Sequence, residues 1–223
     1  MRSIVVPLSL TLVLGPPAVA QTTIGSSGGS QVRTWGPTNS PIYGQTITTP
    51  TENVLESFSF WFGHTSPLSS TPTPSIQYNA YVYAWNSALN RATGSALFAS
   101  ALSTYTATSS SPYTKTTWNT GGLHLTPGSV YTLFVKASGG VGGVDMESKS
   151  TDGYSGGGFV YRNDQNPTGG SWAGPGWVTA ADLRFEAQFT AVPVPSTWLL
   201  LVTGLLGLAF VARHRRREAD GAA

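Results

Sequence analysis

The 223-residue chain contains no cysteine, only two methionines and only 10% charged residues. Without cysteine, neither disulfides nor thiolate-bound metals are available, so stability has to come from a packed core. No long stretch of the body repeats apolar residues at helical spacing, which excludes a helical bundle. From Gln21 to Val192 the cations Arg33, Arg91, Lys115, Lys136, Lys149, Arg162 and Arg184 nearly balance the acids Glu52, Glu56, Asp145, Glu147, Asp152, Asp164, Asp182 and Glu186. The formal net charge of +2 therefore resides at the two ends of the chain. A phosphate-binding surface needs a concentrated basic patch, so nucleic acid is not expected as a partner. N-glycosylation sequons are missing as well, because Asn166-Pro167-Thr168 is disqualified by its proline. Any glycosylation would be O-linked, with Thr65 to Ser75 and Thr104 to Thr117 the richest stretches.

The ends of the chain are where apolar runs do occur. Arg2 precedes an apolar stretch from Ile4 to Leu14, and Ala18-Val19-Ala20 offers the small-x-small pattern of signal cleavage at Ala18 and Ala20. Residues 1–20 are expected to be a signal peptide, with the mature chain starting at Gln21. At the other end, Val192-Pro193-Val194-Pro195-Ser196-Thr197 leads into an apolar run from Trp198 to Ala212, followed by Arg213, Arg215, Arg216 and Arg217 around His214. About fifteen apolar residues fall short of the roughly twenty that span a hydrocarbon core comfortably, which suits a temporary anchor. The arginines place their own side in the cytoplasm and everything before Trp198 outside it. A permanent single-pass anchor is the plainer alternative.

This tail, residues 193–223 with the box that opens at Val192, resembles the PEP-CTERM sorting signal of Gram-negative bacteria: a Val-Pro-Glu-Pro-Ser-Thr box, a short membrane helix at about 198–212 and an arginine cluster at 213–217. Val194 stands where the family has Glu. The resemblance implies export, transient residence in the inner membrane, processing by an exosortase, and a final address at the cell surface or outside the cell.

Between the ends, residues 21–192 have the length of one domain. Glycine, serine, threonine and aromatic residues dominate, and the pattern reads as all-β. In Asp182 to Thr190, Leu183, Phe185, Ala187 and Phe189 alternate with polar residues, giving one core face and one wet face. Further strands are expected at Glu52 to Phe62, Ile76 to Trp85, Ser95 to Leu102, Val130 to Ala137 and Gly158 to Arg162. Thr65 to Ser75 and Ser138 to Gly143 read as loops. Leu125-Thr126-Pro127-Gly128-Ser129-Val130-Tyr131 fits a tyrosine corner, although a chance Pro-Gly turn before a buried tyrosine gives the same string. With seven or eight strands, the expected architecture is an antiparallel two-sheet jelly-roll or Greek-key sandwich. The body is also similar to sandwich domains that carry such anchors, through Tyr83-Ala84-Trp85, Ala96-Leu97-Phe98, the Leu125 to Tyr131 corner, Tyr154 with Gly156-Gly157, and Asp182-Leu183-Arg184-Phe185.

Catalytic signals are weak. Gly25-Ser26-Ser27-Gly28-Gly29 matches the nucleophile-elbow string but lies in a Ser/Gly run, which reads as a flexible leader. His64 and His124 have no metal-ligand partner at the required spacing. Glycosidase pairs, Glu52 with Glu56 or Glu147 with Asp152, are conceivable, but sparse acids on a sandwich are more often solvated or paired with arginine. Asp145, Glu147, Asp152 and Asp164 offer oxygen ligands for calcium without EF-hand spacing. No cofactor, metal or catalytic residue is assigned, and the protein is expected not to be an enzyme.

Trp172 and Trp177, set in Gly/Pro-rich sequence, together with Tyr154 and Tyr161, are the candidate carbohydrate-binding residues, with Asn163, Asp164 and Asn166 nearby to bond hydroxyls. The alternative is that the tryptophans cap the sandwich. Trp61, Trp85 and Trp118 read as core. The leading expectation is thus a non-catalytic surface or matrix protein associated with extracellular polysaccharide. A lectin-like carbohydrate-binding module is the alternative, and a glycoside hydrolase the third.

Overall fold

The computed structural model describes residues 20–63, 73–107, 113–172, 182–192, 202–209 and 213. Chain contacts separate a unit ending at Ala191 from a second beginning at Val192. Among its described residues the first unit carries thirteen strands: β1 (Gln21–Ser26), β2 (Ser30–Trp35), β3 (Ile42–Thr48), β4 (Val54–Gly63), β5 (Ser75–Asn86), β6 (Arg91–Ala99) and β7 (Ser103–Thr106), then β8 (Thr114–His124), β9 (Val130–Val141), β10 (Val144–Lys149), β11 (Phe159–Arg162), β12 (Asp182–Leu183) and β13 (Phe185–Thr190). Every ladder between them is antiparallel.

The strands form two sheets, as the all-β sandwich expectation requires. The first runs β1-β13-β4-β10-β12, with β8 on the other edge of β4 and β2 on β10. The second runs β11-β3-β9-β5-β6, with β7 also on β5. Alternation explains the packing. Phe58, Phe60 and Phe62 of β4 point inward with Trp118 of β8 and with Phe185, Ala187 and Phe189 of β13. They meet Ile76, Tyr78, Ala80 and Val82 of β5 and Leu133 and Val135 of β9. Phe62 touches Tyr78 with ring centroids 5.4 Å apart, and Trp35 stacks on Phe62 at 5.0 Å. Dispersion and apolar burial, not covalent links, hold the sheets together.

A buried polar bridge crosses the core. Gln45 of β3 donates to Asp182 of β12 (2.7 Å) and accepts from the Leu183 N–H (3.0 Å), while Gly153 and Tyr154 N–H groups donate to the other Asp182 oxygen at 2.8 and 2.9 Å. Asp182 is 1% exposed, so its charge is stabilised by these donors in place of water. The tyrosine corner is present: the Thr126 N–H donates to the Tyr131 hydroxyl at 3.1 Å.

Four expectations need correction. Gly25 and Ser26, read as part of a flexible leader, belong to strand β1, which is paired along its length with β13. Ser138 to Val141, read as a glycine loop, continues β9 against Ser75, Ile76 and Gln77 of β5. Trp61 is not core: Phe60 and Phe62 point inward, so Trp61 between them points outward. The strand count exceeds seven or eight, because β1, β2, β7, β8 and β10 lie in polar or glycine-rich sequence and β3 is buried along nearly its whole length without alternation.

Candidate functional site

Trp172 is 2% exposed. Its ring packs on Phe134 of β9 (5.3 Å) and edge-on to Trp85 of β5 (5.4 Å), and its indole N–H donates to Pro167 O at 2.7 Å. Main-chain bonds with Asn90 hold it further, from the Trp172 N–H to Asn90 O (2.7 Å) and from Asn90 Nδ2 to Trp172 O (2.6 Å). Trp172 thus caps a second apolar cluster on the outer face of the second sheet, with Ile42, Ala92, Phe134 and Val160, and has no free face for a sugar. The loop leading to it is gripped by Arg162, which pairs with Asp164 and donates to the carbonyls of Gly169 (2.8 Å) and Gly170 (2.7 Å). That arginine hydrogen bond holds the Asp164 carboxyl below the usual carboxylate range.

Tyr154 is likewise committed to structure. It packs against Phe185 at 5.2 Å, and its hydroxyl accepts from Thr48 N–H and donates to Thr48 O, both at 3.2 Å. Burial pushes its phenol pKa up. Tyr161 is half-buried, packs on Phe159 (5.8 Å) and borders an open cavity of about 380 Å³ with Arg162, Asn163, Asp164 and Ser171. Trp177 and His64 lie outside the described residues.

The carboxylates considered for catalysis or calcium are engaged by the protein. Glu52 accepts from Thr22 (2.8 Å) and Glu56 from Thr190 (2.7 Å). Glu147 pairs with Arg184 (2.7 Å), and Asp152 accepts from the Tyr154 N–H (3.1 Å). Among the described residues, no group of three or more His, Cys, Asp or Glu converges as a metal cage.

The outer face of the first sheet carries a network that sequence reading missed. Trp61 stands directly opposite Lys115 of β8, whose Nζ lies 5.2 Å from its ring centroid. The Arg184 guanidinium, from the break between β12 and β13, lies 4.2 Å from the same ring. Each cation also holds an acid, Lys115 binding Glu186 at 2.9 Å and Arg184 binding Glu147. The lysine hydrogen bond lowers the Glu186 pKa. Beside Glu147, a cavity of about 410 Å³ is lined by Gly29, Ser30, Gln31, Tyr113 and Glu147. The signal that could have found Trp61 was the alternation of Phe58, Phe60 and Phe62.

In the second unit, residues 202–209 are helical. Among the described residues no helix is long and apolar enough to cross a membrane. Residues 191–217 match the family model of the PEP-CTERM protein-sorting motif. The molecule is therefore an exported, surface-sorted chain with a mostly β body. More particularly, the chain carries a PEP-CTERM sorting motif and is in that respect an exosortase substrate.

A search of the curated proteins finds no match. Among solved structures, the chain is similar to the clostridial cysteine protease Cwp84 after propeptide cleavage (TM-score 0.46, 10% identity), covering 77% of this chain and 40% of that one. It is similar also to the cysteine protease and lectin-like domains of Cwp84, a surface layer associated protein of Clostridium difficile (TM-score 0.46, 11% identity), covering 77% and 36%. The chain spans less than half the length of either.

Proposed function

We propose that the protein is a non-catalytic component of the cell surface or extracellular matrix of a Gram-negative bacterium, associated with exopolysaccharide. It passes through the inner membrane transiently, held by the segment from Trp198 to Ala212, until an exosortase acts near the Val192 to Thr197 box. The observation that carries this reading is the sorting motif at residues 191–217, joined to a disulfide-free sandwich. The engagement of its acids as hydrogen-bond acceptors and ion-pair partners supports a structural role.

Cell fractionation tests the reading. Wild-type host cells should yield the protein with the extracellular polysaccharide, whereas exosortase-deficient cells should retain it, tail intact, with the inner membrane. Recovery from the same fraction in both strains contradicts the proposal. A second reading, a lectin-like module with a defined glycan site, is favoured by the cavity beside Tyr161, whose rim offers Asn163, Asp164 and Ser171 to hydroxyls. Saturable binding of one glycan in preference to others would select it.

A further inference from the structure

Trp172 is buried, and among the described residues Trp61 is the tryptophan that the apolar clusters do not use. It is half-buried on an otherwise polar sheet face, between Ser59 and the exposed Thr117 and Lys115. Its ring neighbours are Lys115 and Arg184. Around it a row of side chains crosses the sheet. Lys115 on β8 faces Trp61 on β4. Arg184 follows, its backbone N–H donating to Glu147 O at 2.8 Å, and Glu147 on β10 faces Gln31 on β2.

Two glycines shape the surface beside the row. A Cβ at Gly63 would come within 2.7 Å of Tyr113 Cδ1, so the bare strand end lets the Tyr113 ring lie on it. A Cβ at Gly28 would overlap the Glu147 carboxylate, so this acid sits directly against backbone. The Tyr113 hydroxyl bonds Gln31 at 3.2 Å, and the resulting cavity of about 410 Å³ falls within the range of small-ligand sites.

We propose that this face binds a neutral polysaccharide, one sugar ring lying against Trp61 and Tyr113 with its hydroxyls on Glu147, Gln31 and Arg184. The inference rests on the polysaccharide association proposed above and gives it a place. Charge sets the ligand class. Lys115 and Arg184 are each already paired with an acid, Glu186 and Glu147, so neither cation stands free to attract an ionic polymer. A hydroxyl donates and accepts at once, which matches a surface of alternating carboxylate, amide and guanidinium groups. Aromatic faces supply the flat apolar contact. Lys115, 40% exposed and farther from the ring than Arg184, is the cation that the sugar displaces.

The test uses the full chain in detergent micelles, electrophoresed through gels containing hydroxyethyl cellulose, the neutral polysaccharide fraction of the host matrix, or alginate as the acidic control. The two neutral polymers should retard the protein, and retardation should persist from about 50 to about 500 mM NaCl. W61A and E147Q should weaken it about tenfold, while Y161A, on the other sheet, should not. Circular dichroism checks that each variant keeps its β structure, and E147Q retains a partner for Arg184 should W61A fail to fold. Wild-type retardation with W61A and E147Q unchanged overturns the site but leaves the matrix reading standing. Retardation by alginate alone, lost in K115A and at high salt, overturns the neutral-ligand assignment. If no polymer, the host fraction included, retards the wild type, the matrix reading falls together with the site.

Discussion

Trp172→Ala should cost about 3 to 5 kcal/mol, the range for deleting a large buried aromatic. The side chain is 2% exposed and lies between Phe134 and Trp85, so its removal opens a void bounded by rigid rings that cannot collapse without moving β5 and β9. Pro167 O also loses the indole N–H, on the order of 1 kcal/mol of hydrogen bonding. Trp172→Phe separates the two contributions: it keeps most of the ring volume and should cost about 1 to 2 kcal/mol. Urea titration of the full chain in micelles, followed by near-ultraviolet circular dichroism, measures both. A loss below about 1 kcal/mol for Trp172→Ala would mean that the ring is an exposed appendage, and the lid account would be wrong.

Tyr131→Phe should cost about 1 kcal/mol, because the Thr126 N–H loses its acceptor at the corner; an unchanged urea midpoint would make the corner incidental. Asp182→Ala should cost about 3 kcal/mol or more, since Gln45, Gly153 and Tyr154 lose a charged acceptor inside the core, and amide exchange at the two backbone donors should rise with it. Gly44→Ala should cost about 1 to 3 kcal/mol, as a Cβ there would come within 2.7 Å of Phe134 Cβ and 2.9 Å of Leu133 O. Stability should also narrow at both extremes of pH. The lowered Asp164 and Glu186 pKa values give a contribution that is full above their ordinary values of 3.8 and 4.5 and is lost as pH falls through the depressed ones. Burial raises the Tyr78 phenol to about 12, so the unfolded chain ionises first and stability falls as pH rises above 10.0. A melting temperature flat from about pH 3 to pH 11 would refute both linkages.

The parts of the fold that could be read in advance were those where apolar and polar residues alternate. β4, the first half of β5, β9 and β13 show it, and they make most of the main core. β1, β2 and β8 are rich in Thr, Ser, Gln and Gly, and their assignment comes from pairing with a neighbour rather than from their own pattern. β3 was hidden for another reason: it is buried on both faces, with Tyr43 and Ile47 turned to the main core and Ile42 to the second cluster, so it shows no alternation. The same double burial explains Trp172. Tyr81, Tyr83 and Trp85 alternate with Ala80, Val82 and Ala84 on β5, and a strand apolar on both faces implies a cover on each. The Trp61 network is a case where the period held the answer, but residue type, a tryptophan within a phenylalanine-rich strand, suggested the opposite face.

The proposed life of the chain is to be sorted by its tail and then parted from it. Intact-mass measurement of the protein isolated from its native host tests this most directly. The mature protein should end between Val192 and Thr197, with the segment from Trp198 onward removed. A mature protein that still ends beyond Arg217 would contradict it and establish a permanent anchor.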